Sequence, residues 1–312
     1  MSRSLKAHLL LVLATFVWGA TFIVIKSALA NASPLVFNAV RMTIAAIILC
    51  AIFFRQLRRL PVGALRAGFE VGTLMWLGYE FQTAGLLYTS ASKSAFLTGV
   101  SVVLVPLLLA LFWRGHVNRY TLAGVFAAFV GLYLLCVPPN QGLSLASLNR
   151  GDLLTLGCAV AFAFQIIILG RSAQRFDFAH LVPIEISVCA LWMVVSIPIA
   201  DRHGFIRFTP SMLWALAITA LFGTVGCFLI QGWAQRFTPP THTALIFSLE
   251  PVFAGITSYL VLGERLGPRS FLGAALILAG VLASEILGQV QKPEGELAEE
   301  LGDGKTLAAN SK

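Results

Sequence analysis

The chain has 312 residues, of which 58% are hydrophobic and 12% charged, and it carries a net charge of +8. A soluble domain has about 25% charged residues, so half that fraction leaves too little polar surface for water and the sequence reads as an all-α integral membrane protein whose first partner is the lipid bilayer. The positive charge does not point to nucleic acid, because Lys and Arg sit in short loops between apolar runs and no basic cluster is interleaved with aromatics.

About 20 apolar residues cross a hydrocarbon core, and ten such segments are predicted in chain order: 7–26, 34–54, 67–88, 93–113, 120–137, 152–170, 179–200, 211–233, 241–262 and 269–288. The first follows Arg3 and Lys6 and precedes Ala28-Leu29-Ala30, which resembles a signal-peptidase site. Its apolar run from Leu9 to Ile25 exceeds the roughly 7–15 residue core of a signal peptide, so it is read as an uncleaved helix. Breakers and polar residues separate the segments at Asn31–Pro34, Arg55–Pro61, Arg114–Arg119, Pro138–Arg150, Pro239–Pro240 and Gly267–Pro268. The tail 289–312 lacks an apolar face and is expected to be disordered and cytoplasmic.

Orientation follows the Lys and Arg count. With the N-terminus inside, the first half places Arg3, Lys6, Arg55, Arg58, Arg59, Arg66, Arg114 and Arg119 in cytoplasmic loops, against Lys26 and Lys93 opposite. The second half is nearly balanced, so the first half sets both termini as cytoplasmic in an inner (cell) membrane. The five cysteines, Cys50, Cys136, Cys158, Cys189 and Cys227, lie in apolar runs without a CxxC pair or a Cys/His metal spacing. No cofactor or metal is implied. Monomer and homodimer are both compatible with the pattern.

A shift of 149 residues superposes segments 3–5 on segments 8–10 without a gap: Gln82 meets Gln231, Thr89 meets Thr238, Gly124 meets Gly273 and Gly131 meets Gly280. Two halves of five helices each must enter the membrane from opposite sides. The expected architecture is two inverted five-helix repeats, 1–138 and 149–288, around a central cavity, a common plan for secondary transporters.

The run SLEPVFAGITSYLVLGERLGPRSFLGAALILAGVLAS, Ser248 to Ser284, resembles the second-repeat signature of the EamA-type branch of the drug/metabolite transporter superfamily. WGATFIVIKSAL, Trp18 to Leu29, resembles the start of that family's first repeat, and Arg41 in FNAVRMTIAA sits where the family usually has an arginine. The resemblance covers about residues 7–288 and implies a ten-helix permease, usually an exporter of amino acids or related small metabolites and drugs. The sequence departs from the family where Arg114-Gly115-His116 replaces the GE element after the fourth helix, and Pro106 and Pro251 are four positions out of register.

A charge at the bilayer centre costs at least roughly 2.5–3.5 kcal/mol on insertion scales, so charges at depth should face the bundle interior. Four are predicted there: Arg41, Glu80, Glu185 and Glu250. Glu80 adjoins Tyr79, and Glu250 precedes Pro251, which is expected to kink its helix and free the carbonyl of Phe247. That pairing of carboxylate and carbonyl suits an ammonium group. Burial disfavours a charged carboxylate, which makes Glu80 and Glu250 candidates for proton coupling; a structural pair with Arg41 is the alternative. Glu185 is expected near a hydrated cavity mouth and Arg41 in a structural pairing. Trp18, Thr21, Tyr79, Gln82, Gln165 and Gln231 complete the candidate substrate-binding cavity, with helix-to-helix hydrogen bonding the alternative for the glutamines. Gly68 and Gly72 are expected to pack within the bundle and not at a dimer face.

A lipid or lipid-linked-sugar flippase would share this architecture. An enzyme is not expected: His8, His116, His180, His203 and His242 fall near membrane ends without HExxH or a GxSxG set, and no P-loop is present.

Overall fold

The structure is a computed structural model that describes residues 2–89, 91–114, 117–137, 149–263 and 267–288. Among them it is helical throughout, with one isolated β-bridge between Ala32 and Ile206. The helices are α1 (Arg3–Ala28), α2 (Pro34–Ile52), α3 (Phe54–Leu57), α4 (Val62–Leu86), α5 (Ala91–Gly99), α6 (Ser101–Trp113), α7 (Arg119–Cys136), α8 (Arg150–Ala173) and α9 (Phe178–Ala200). They continue with α10 (Pro210–Ile218), a π segment (Thr219–Gly226), α11 (Cys227–Ala234), α12 (Pro240–Phe247), α13 (Glu250–Leu262) and α14 (Pro268–Gly288).

Among the described residues eight helical stretches are long and apolar enough to cross a membrane, including Ser94–Trp113, Pro210–Ala234 and Pro240–Val261, each of which spans a junction between elements. α14 supplies a shorter apolar helix, and α4 is 25 residues long but carries Arg66, Glu70 and Glu80. Large apolar side chains such as Leu111, Ile199, Trp214, Leu260 and Phe271 are exposed on the outside of the bundle. In water they would form an adhesive surface; in hydrocarbon they need no cover. The protein is therefore a multi-pass membrane protein.

The helix ends follow local chemistry. Ser2, Asn118, Asn149, Asp177 and Thr209 each cap a following helix with a side-chain oxygen. Asn149 and Asp152 form a reciprocal capping box at α8, and Asp152 also accepts from Thr89 at 2.7 Å. The predicted segment 67–88 starts earlier, at Val62, directly after Pro61. Arg66 pairs with Glu70 at 2.9 Å in its first turns, so charged residues extend the helix beyond the apolar run.

Three predicted continuous segments are interrupted. Residues 93–113 divide at Val100, and 241–262 divide at Ser248-Leu249. At both points a backbone N–H reaches the carbonyl three residues back, Val100 to Leu97 at 3.3 Å and Leu249 to Ile246 at 3.0 Å, which tightens the turn and redirects the next helix. Pro251 consequently stands in the first turn of α13, where its missing N–H costs no helical bond, and not in a mid-helix kink. The third interruption is the π segment between α10 and α11. The junction residues Val100 and Leu249 are 149 positions apart (249 − 100), and so are the left-handed residues that close α6 and α13, Arg114 (φ 51°) and Gly263 (φ 68°).

Close helix contacts are made at glycine, as expected where lipid offers no hydrophobic drive and packing must hold helices together. A Cβ built at Gly124 would stand 2.5 Å from the Gly280 carbonyl oxygen, and one at Gly131 would stand 2.6 Å from that of Gly273, so α7 and α14 touch backbone to backbone. On α4, Gly68 meets the side chain of Ile184 and Gly72 the backbone of Glu185, both on α9. This GxxxG is internal packing, as the sequence predicts.

Candidate functional site

The interior is organised around Trp18 on α1. Its indole Nε1 donates to the carbonyl of Gly223 at 2.7 Å, inside the π segment. A π turn offsets its carbonyls from the α-helical ladder, and such turns cluster at functional sites. Here Thr224 Oγ1 takes the Thr219 carbonyl at 3.0 Å, while the indole takes that of Gly223. Phe247 and Phe228 flank the indole, with ring centroids 5.0 and 5.5 Å away. Thr21 donates to the Trp18 carbonyl at 2.9 Å. At Gly19 a Cβ would stand 2.8 Å from the Glu250 carbonyl oxygen, so α1 lies directly on the first turn of α13.

Arg41 projects from α2 and is 6% exposed. Its guanidinium carbon stands 5.5 Å from the Tyr79 ring centroid, a cation–π distance, and its Nε has no hydrogen-bond partner. Glu250 opens α13, where a helix N-terminus favours a carboxylate. It lies within electrostatic range of Tyr79 and Cys227. Tyr79 is thus reached by both charges and is braced by Phe162 edge-on at 5.5 Å. Among the described residues, no ion pair within 4 Å joins Arg41 to a carboxylate; the pair found is Arg66–Glu70. One interior region therefore holds a cation and an anion that do not neutralise each other by direct contact.

The other two carboxylates are elsewhere. Glu80 is half-buried, accepts from Ser196 Oγ at 3.3 Å and lies within range of Asp201, near the end of α9. Tyr79 and Glu80 are neighbours in sequence but belong to different surroundings. Glu185 is 0% exposed, and neither carboxylate oxygen has a hydrogen-bond partner. The hydrated mouth expected for it is not what the structure shows: α4 seats Gly72 on the Glu185 backbone and closes water out.

The glutamines bridge helices. Gln82 on α4 donates to Thr98 on α5 at 3.2 Å. Gln231 on α11 donates to Gln165 on α8 and to Gln235, each at 3.3 Å, and Gln235 donates to the Ile166 carbonyl at 2.9 Å. All three of the latter are buried, and Gln165 Nε2 has no partner. Sequence reasoning missed Gln235 and the π segment. The signal available was weak: Gly223, Thr224 and Gly226 together in an otherwise apolar run. Glu264 and Arg265, the Arg114-Gly115-His116 triplet beyond its first residue, and the tail lie outside the described residues.

Among the described residues no group of three or more His, Cys, Asp or Glu could hold a metal ion. The arrangement is one of flat aromatic walls and isolated charges, suited to holding a small polar molecule.

The model of the EamA-like transporter family matches twice, at residues 5–137 and 149–284. An uncharacterized transporter of Archaeoglobus fulgidus is 36% identical over 287 residues, covering 90% of this chain and 86% of that protein. A probable amino-acid metabolite efflux pump of Escherichia coli is 26% identical over 291 residues, covering 90% and 94%. A solved crystal structure 14% identical in sequence superposes with a TM-score of 0.77 over 92% of this chain and 99% of that one, which shows a shared fold.

Proposed function

The chain belongs to the EamA-like transporter family, and from that premise we propose that it is an inner-membrane secondary transporter exporting amino acids or related small metabolites, coupled to protons. The observation that carries the reading is Arg41 stacked over Tyr79, Glu250 within electrostatic range of the same ring, and no ion pair joining the two among the described residues. A zwitterionic cargo has a carboxylate for the first and an ammonium for the second. Trp18, Phe228 and Phe247 offer an apolar face to its side chain. A bound zwitterion would give each charge an ion-pair partner, and a charge at membrane depth is a functional site by default.

The proposed architecture is ten crossings in two inverted repeats, 1–138 and 149–288, with both termini cytoplasmic. Three features support it. The family match is double. The helix breaks and left-handed caps recur at a spacing of 149. The contacts Gly124–Gly280 and Gly131–Gly273 exchange into each other under the same shift (124 + 149 = 273 and 131 + 149 = 280), as contacts across a two-fold axis must.

The test is counterflow in proteoliposomes loaded with a panel of neutral amino acids, with and without a pH gradient. Saturable exchange that is lost in Arg41→Gln and in Glu250→Gln, with both variants monodisperse, is the expected result. Proton dependence that survives in both Glu80→Gln and Glu250→Gln would remove the coupling claim, and exchange indifferent to Arg41 and Glu250 would remove the zwitterion site.

A further inference from the structure

Away from the interior site, a cavity of about 380 Å³ opens where α8 ends and α12 begins. Arg171, Gln174, Gln235, Arg236, Thr238 and Pro240 line it. This volume is within the range of small-metabolite pockets. The side carrying Arg171 and Arg236 is cytoplasmic in the orientation proposed above, and the inference rests on that reading only for the word cytoplasmic.

Leu109, Phe237 and Pro239 complete a largely apolar lining, and the polar groups set into it are held in place. Gln174, which caps α8, donates its Nε2 to the carbonyls of Arg236 at 2.9 Å and Gln235 at 3.3 Å, so the end of α11 is pinned to α8. Arg171 is exposed and lies 5.2 Å from the Trp113 ring centroid, which orients its guanidinium at the rim. Arg236, also exposed, lines the same cavity. Thr238 is only 2% exposed, yet its Oγ1 has no hydrogen-bond partner. A buried hydroxyl without a partner is uncommon and calls for an acceptor or donor supplied from outside. α12 begins at Pro240 without a side-chain cap, so the partial positive charge of its first turn is not neutralised there. Two guanidinium groups, an unsatisfied hydroxyl and an uncapped helix start all favour the same chemistry.

We infer that this cavity is an oxyanion-binding site that takes the carboxylate or phosphate of a small ligand between Arg171, Arg236 and Thr238. Its inner wall leads onward. Gln235 joins Gln231, Gln231 joins Gln165, and the chain of buried amides ends at the unpartnered Gln165 Nε2.

The shared chemistry fits a soluble anion and the headgroup of an anionic lipid, and two arms separate them. Full-length protein in phosphatidylcholine nanodiscs is titrated with sodium acetate and with inorganic phosphate at constant ionic strength. Tryptophan fluorescence is read against a Trp113→Phe baseline. The second arm raises the phosphatidylglycerol content with no anion added. A saturable change is expected, its midpoint rising tenfold or more in the Arg171→Gln/Arg236→Gln double variant and at least threefold in Thr238→Val. Thr238→Ser, which keeps the hydroxyl, should restore the wild-type midpoint. A response in the first arm assigns the site to a soluble anion, and one confined to the second assigns it to a lipid headgroup. No saturable response in either arm, or equal midpoints for wild type and double variant, overturns the inference. Both arginines are exposed, so the double variant reports binding and not folding. Binding is read without transport: lost counterflow with intact titration counts against the transporter reading, and intact counterflow with no titration counts against this site.

Discussion

The α7–α14 interface and the Trp18 interior are built on opposite principles. At the interface two glycine pairs let backbones touch, Ser284 donates to Thr121 across it at 3.3 Å, and Arg269 of α14 lies over the Tyr133 ring of α7. Around Trp18 the packing is aromatic, a helix is broken, another is widened into a π turn, and among the described residues no ion pair joins Arg41 to a carboxylate. The first region is held by close backbone contact. The second has polar groups whose partners are missing, and that is where a cargo has something to add. Rigid contact between the halves and unsatisfied polarity at depth are different jobs, and the chain assigns them to different helices.

The contrast can be broken most severely at the interface. Gly131→Leu forces a side chain into the Gly273 carbonyl; overpacking of this kind costs about 1–3 kcal/mol or more, and the expected outcome is a large fall in thermal midpoint and in monodisperse yield. In the interior the effect should fall on transport instead. Arg41→Gln or Glu250→Gln is expected to reduce counterflow at least tenfold while the thermal midpoint moves little, because neither charge has an ion-pair partner to lose; a midpoint that falls as far as in Gly131→Leu would show a structural role. Trp18→Phe keeps the ring and deletes the donor to Gly223, a bond worth about 0.5–1.5 kcal/mol. A few-fold loss of flux is expected, and flux equal to wild type would detach the π segment from function. The smallest effect is at Arg114, a non-glycine residue in the left-handed region. Arg114→Gly should stabilise the protein by up to about 1 kcal/mol, measurable as a modest rise in thermal midpoint with transport unchanged.

Much of this was legible in the residues themselves. Leu9 to Ile25 and the later apolar runs are too apolar and too long for water, so spanning helices are dictated by composition and length. The spacing of 149 that aligns Gly124 with Gly273 also aligns the two helix breaks and the two left-handed caps, none of which leaves a hydropathy signal of its own. Arg41, Glu80, Glu185 and Glu250 stood out because charge is scarce at depth, yet their neighbours could not be read. Tyr79 and Glu80 are adjacent in sequence, but successive residues on a helix diverge by about 100°, and they face different surroundings. Glu185 was placed near water by its distance from a helix end, whereas the approach of α4 through Gly72 decides its burial.

By itself, then, the sequence determined the class of solvent, the apolar helical segments, the recurrence of residues at a spacing of 149 and the short set of polar residues in an apolar chain, because each depends on local composition and on spacing along one chain. Tertiary structure alone decided that Arg41 stacks over Tyr79 with Glu250 in electrostatic range while Glu80 turns to Ser196, that the Trp18 indole takes a carbonyl more than 200 positions away in a π turn, and that a hydroxyl at Thr238 is buried without a partner. Each of these depends on which groups lack partners, and a partner can be counted as missing only when every helix that might have supplied it has been put in place.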